Sequence, residues 1–163
     1  MLRTLKIKTN TKGLCAMDYI EYFKLQAKNF QRDYKTQFAV EGDIGIYDYK
    51  PRFFEDINDI ILSYEIDEDR PFSLMQIQHL IANLADFTSW NDLLRTYKQG
   101  NIDRLELGKL LLDNRTVFYD GRMVQTLPEW EHTLHWYETM GIYFDDISKL
   151  QLFKEIFLSE DHE

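Results

Sequence analysis

Cysteine is almost absent from this chain: Cys15 is the only one in 163 residues. That excludes an internal disulfide and any thiolate metal cage, and it fits a reducing compartment. No base or orienting residue is recognisable beside Cys15, so it reads as a small free thiol. Proline, at three, and glycine, at seven, are too sparse for a linker or low-complexity segment. No apolar run approaches the roughly 18 residues of a membrane span. The start, MLRTLKIKTNTKGLCAM, carries basic residues but no continuous apolar core of a secretory signal. These absences predict a cytoplasmic protein. Residues 1–16 precede the first strong helical pattern and read as an appended strand or a start-site extension.

Basic charge is also in short supply, with 19 Lys and Arg against 28 Asp and Glu. The imbalance is segregated. Residues 1–40 carry eight basic against three acidic side chains, and residues 41–69 carry two against ten. Residues 70–128 are near balance at seven against six, and residues 129–163 carry two against nine. Two acidic blocks repel a phosphate backbone, which argues against nucleic acid as a partner. What the chain does have is apolar material: 44% hydrophobic residues, with ten Tyr, eleven Phe and three Trp. A single domain of this length buries roughly 70% of its unfolded surface, so an aromatic-rich core is expected across 1–163.

Every local signal agrees in Phe72–Leu94. Ser73 and Gln76 form a capping box, and Phe72 and Ile77 occupy the staple positions. Leu74, Ile77, Ile81 and Leu84 then recur at helical spacing, Asp86-Phe87-Thr88 breaks the pattern, and Ser89 can cap a second helix opening at Trp90. Asp18 with Glu21 predicts another capping box, followed by Ile20, Phe23, Ala27, Phe30 and Tyr34 on one face of a helix over 18–36. Residues 37–50 read as a loop or short extended piece. Pro51 is placed in the first turn of a helix over 51–64, and a further helix is expected over 101–113. Asp120-Gly121 between TVFY and RMVQ predicts a two-residue hairpin. Thr126 with Glu129 predicts a capped helix stopped by Gly141, and Asp145 or Asp146 opens a last helix that buries Ile147, Leu150, Phe153, Ile156 and Phe157. The fold class is therefore mainly α, a compact bundle of six to eight helices with at most a small hairpin near 116–125.

Chemistry-bearing motifs are few. Glu129, Glu131, His132, His135 and Glu138 fall one turn apart on the helix 128–140, and a Glu-x-x-His pair is half of a di-metal carboxylate ligand set. The other half is missing, since His79 is preceded by Gln76 rather than Glu, and His-Glu-x-x-His is absent. These residues read as the rim of a helix, and no metal, cofactor or catalytic residue is expected. A metal-dependent enzyme built on this cluster is the first alternative. The second is a helix–turn–helix DNA-binding regulator reading DNA with Asn91, Arg95 and Lys98, which Asp92 and the acidic blocks oppose.

Lys24-Leu-Gln-Ala27-Lys28, together with Ser73, Gln76, Leu80, Ala82, Phe87, Trp90, Asn91 and Leu93, resembles a small helical module labelled glyoxalase-related. That module occurs in bacterial proteins of unassigned role. The chain departs from its pattern at Leu74, where a His is usual, at Asp86, where a Gly is usual, and in a longer insertion at about 38–70. No glyoxalase fold is implied, because the βαβββ pattern and its ligands are missing. In the resembling module Phe87 and Trp90 read as buried anchors that lock the helix pair. Absent site chemistry, segregated charge and surplus aromatics together predict an acidic protein–protein interaction module, immunity-like or regulatory. Its partner is a basic protein met by Glu65, Asp67, Glu68 and Asp69 and by the acidic C-terminal block.

Overall fold

A computed structural model describes residues 16–159. The N-terminal segment read as an extension or strand lies outside them, apart from Ala16, which opens α1. Seven helices follow: α1 (Ala16–Tyr34), α2 (Ile57–Ser63), α3 (Leu74–Leu84), α4 (Trp90–Lys98), α5 (Ile102–Asp113), α6 (Thr126–Thr139) and α7 (Asp146–Phe157). Two antiparallel hairpins punctuate them, β1 (Phe38–Ala39) with β2 (Tyr47–Asp48), and β3 (Thr116–Tyr119) with β4 (Arg122–Gln125). The mainly α class is as the periodicity predicts. The β1–β2 pairing is an addition to the single hairpin expected.

The apolar stripe of α1 (Ile20, Phe23, Ala27, Phe30 and Tyr34) is buried, and the helix lies against α3, α5 and α4. Around it forms a first core with Phe54, Ile57 and Ile61, then Ile77, Ile81 and Leu84, then Phe87 and Leu93. Each fully buried side chain of this kind contributes about 1.5–3 kcal/mol. A second core gathers Val117 and Val124 of the hairpin, Trp130 of α6, and Leu150, Phe153 and Phe157 of α7. Helix α5 is their shared wall: Leu105 and Leu112 face the first core, Leu107 and Leu111 the second. Gly108 permits the close approach, because a Cβ there would stand 2.8 Å from the Phe87 ring and 3.2 Å from the Ala85 carbonyl oxygen.

Three expected helix starts and one expected burial differ. The helix placed over 51–64 begins only at Ile57. The carboxylate of Asp33 accepts the backbone N–H groups of Arg52, Phe53 and Phe54, which holds 52–54 as an anchored turn and leaves Pro51 outside any helix. Helix α1 starts two residues before Asp18, so that residue sits in the first turn and not at the cap position. Thr126 is no cap either: β4 runs directly into α6, Gln125 takes the cap position, and Thr126 is buried. Ile147, expected inside, is 63% exposed. The caps at Ser73, Ser89 and Asp145 form as predicted, with N–H···O distances of 3.2, 3.0 and 2.8 Å.

Candidate functional site

The helix pair α3–α4 owes its angle to the way α3 ends. Phe87 N–H reaches the Ala82 carbonyl at 2.9 Å and Asp86 N–H that of Asn83 at 3.0 Å, a Schellman closure that puts Asp86 at φ +64°. Glycine is the residue with no Cβ penalty in this conformation. Arg104 of α5 completes the corner. Its guanidinium donates to the carbonyls of Ala85 and Asp86 and lies 3.9 Å from the centroid of the Phe87 ring. Phe87 is buried as expected of an anchor, whereas Trp90 is only half-buried, packed on the core by one side. The expectation of a fully buried Trp90 is corrected by its place at the first turn of α4, on the edge of a groove.

That groove, of about 510 Å³, runs between α3, the start of α4 and the segment 64–72. Tyr64, Ile66 and Phe72, Met75 and His79 of α3, and Trp90 and Asn91 at the start of α4 line it. Among the described residues no Lys, Arg, Asp or Glu lines it. Gln76, Leu80, Trp90 and Asn91 line it too.

The loop beside this groove carries the acids predicted to interact. Glu65, in a left-handed conformation at φ +51°, and Asp67 and Asp69 are exposed, while Glu68 is half-buried. Asp67 pairs with Arg70 at 3.1 Å and accepts Asp69 N–H at 3.1 Å. Glu68 accepts the Tyr49 hydroxyl at 2.6 Å, and Asp69 accepts that of Tyr47. Gln37 donates to the Glu68 carbonyl at 3.2 Å. Thus Tyr47 of β2 and the residues flanking the β1–β2 hairpin, Gln37 and Tyr49, fix the acidic loop in place. Burial, then the hydrogen bond to Glu68, push the Tyr49 hydroxyl well above its usual range, so it remains a donor. Sequence spacing identified the four acids. It did not reveal the tyrosines that order two of them, because those lie about twenty residues upstream.

The residues of α6 considered as metal ligands do not converge. Glu129 pairs with Arg122 at 3.5 Å, while His132, His135 and Glu138 are exposed. Among the described residues no group of three or more His, Cys, Asp and Glu could hold a metal ion. Glu131 is exposed as well. Burial raises the carboxyl of Asp86 above the ordinary carboxylate range, against the pull of Arg104 and Lys149. Burial and the charge of Asp86 raise that of Glu131. On α4, Arg95 is drawn to Asp92 at 3.8 Å, so the presumptive DNA-reading face is interleaved with acid.

A second, smaller cleft of about 280 Å³ lies between α2, the α5–β3 junction and α6. Arg115 and Asp56 make a bidentate pair across it, both contacts at 2.7 Å. Asp33, Arg104 and Arg115 have no local sequence signature, since each acts on residues 18 to 59 positions away. Among the described residues no helix is long and apolar enough to cross a membrane. Searches of family models, curated proteins and solved structures found no match to this chain.

Proposed function

We propose that the chain is an interaction module whose α3–α4 groove receives an apolar anchor from a basic segment of a partner protein, with the acidic loop 65–69 steering and holding that segment. The observation that carries this reading is the juxtaposition of an uncharged, aromatic-walled groove with a loop of four acids. Tyr64 and Ile66 belong to the groove wall and alternate in sequence with exposed Glu65 and Asp67. Large aromatics in a desolvated pocket supply binding energy, and a ring of like charge supplies rate and register. Because hydroxyl and amide donors already order Glu68, Asp69 and their backbone, binding loses little loop entropy. The glyoxalase-related resemblance supports the same face, since four of its residues line the groove.

The test is capture from native lysate at low and high salt, repeated with a Glu65→Lys/Asp67→Lys variant. A basic protein retained at low salt, weakened as screening shortens to about 8 Å at physiological ionic strength, and lost with the variant is the expected result. A partner indifferent to both would end the proposal.

A further inference from the structure

The α3–α4 groove presents apolar surface to water: Met75 is 79% exposed, and Tyr64, Ile66, Phe72 and Trp90 are each only part-buried. Contiguous surface of this kind marks a docking site, and the chemistry at its edge selects the occupant. Tyr64 and Ile66, which line the groove, alternate in sequence with exposed Glu65 and Asp67. A matching segment alternates apolar with basic side chains. Such a segment is present in the chain itself. Residues 1–15 carry Arg3, Lys6, Lys8 and Lys12 and no Asp or Glu. Within them runs Leu5-Lys6-Ile7-Lys8. Successive side chains of an extended backbone point to opposite sides, so Leu5 and Ile7 would share one side and Lys6 and Lys8 the other.

The attachment point puts this segment within reach. Ala16 opens α1, and at 1.5 Å per residue it stands about 10 Å along the helix from Phe23. Phe23 meets Phe87, ring centroids 6.2 Å apart, and Phe87 is three residues before Trp90 of the groove. At the other end of α1, Phe30 and Tyr34 meet Phe72 of the groove, at 6.2 and 5.4 Å. Helix α1 therefore runs alongside the groove and begins at its Trp90 end. From Leu5 to Cys15 the chain extends to about 35 Å, long enough to pass Trp90 and enter.

We propose that residues 1–15 occupy the α3–α4 groove of their own chain, with Leu5 and Ile7 against its aromatic side chains and Lys6 and Lys8 facing Glu65 and Asp67. The inference rests on the proposed function's reading of the groove and adds its regulation: the segment is a built-in competitor that a partner's basic segment must displace. Tethering gives it an effective concentration on the order of millimolar at the groove, which favours it over the same segment of a second copy. The partner's apparent affinity falls by the fraction of grooves already filled.

The experiment is photo-crosslinking of the purified full chain, at micromolar concentration, from a photo-reactive residue at the exposed position 75, with position 151 as control. The expected product has the mass of one chain, maps to residues 1–15 and keeps its yield on dilution. It is lost in Lys6→Glu/Lys8→Glu and restored when those changes are combined with Glu65→Lys/Asp67→Lys. No crosslink to 1–15, a product of two chains, equal yield from position 151, or a yield indifferent to the charge changes would overturn the proposal. No partner is present in this experiment, so the two readings fail separately. A partner captured from lysate without the 1–15 crosslink overturns this inference and leaves the proposed function. The crosslink without any captured partner does the reverse.

Discussion

The carboxylate of Asp33, near the end of α1, accepts the backbone N–H of Phe54 at 2.7 Å, and it binds the two preceding N–H groups at 2.9 Å each. This one acid holds the turn that delivers Phe54 against Phe30, ring centroids 5.2 Å apart, into the first core. Asp33 is 1% exposed, so its removal strands three backbone donors, that of Phe54 buried and the other two part-buried. Asp33→Ala should cost about 3 kcal/mol or more, in line with hydrogen bonds to a charged group. Asp33→Asn, retaining one acceptor oxygen, should cost less. Chemical denaturation of the three proteins measures both differences.

Gly108→Ala should destabilise the chain even though alanine gains about 1 kcal/mol of helix propensity over glycine. The new methyl meets the Phe87 ring at 2.8 Å, and Phe87 is pinned from its face by Arg104. It also meets the Ala85 carbonyl at 3.2 Å, which is backbone and cannot swing away. Overpacking of this sort costs about 1–3 kcal/mol. A raised unfolding midpoint in this variant would contradict the packing described.

Phe87 and Trp90 should separate under alanine substitution. Phe87, 4% exposed and clasped by Arg104, should cost about 3–5 kcal/mol when truncated. Trp90, half-buried on the groove edge, should cost clearly less while impairing partner binding more. The pair of unfolding midpoints decides it.

The raised carboxyls of Asp86 and Glu131 set a sign for pH dependence. Both carboxyls titrate above their unfolded range of about 4, so the native state holds protons that the unfolded chain has released. Their contribution to stability is complete below the unfolded values and falls as pH rises through the raised native ones. Glu131→Gln should therefore gain stability relative to the wild type between acid and neutral pH, read as a midpoint difference that grows with pH. Asp86→Gly should also stabilise at neutral pH. It removes the disfavoured charge and relieves a φ of +64°.

Much of the fold could be read from the sequence wherever the deciding contact is local. Ser73 with Gln76, Ser89 and Asp145 cap as their spacing implies, and Asp120-Gly121 turns the hairpin with both residues at positive φ. The failures arise where a distant group overrides local preference. Pro51 looked like a helix start, but Asp33 claims the N–H groups that follow it. Thr126 looked like a cap, but the strand before it needs no break, and its place beside Trp130 buries it. Of the candidate site, the acids of 65–69 were visible as composition. The groove was not, because it exists only once Tyr64 and Ile66 are brought opposite Trp90.

The most direct measurement of the central claim is site-specific photo-crosslinking in native lysate from Met75, which lines the groove and is 79% exposed. Gln151, exposed on α7, is the control position. The groove reading predicts a crosslink from position 75 to a basic protein, suppressed by high salt and by Glu65→Lys/Asp67→Lys, and none from position 151. Crosslinks that are equal at the two positions, or that persist unchanged after the charge reversal, would contradict it.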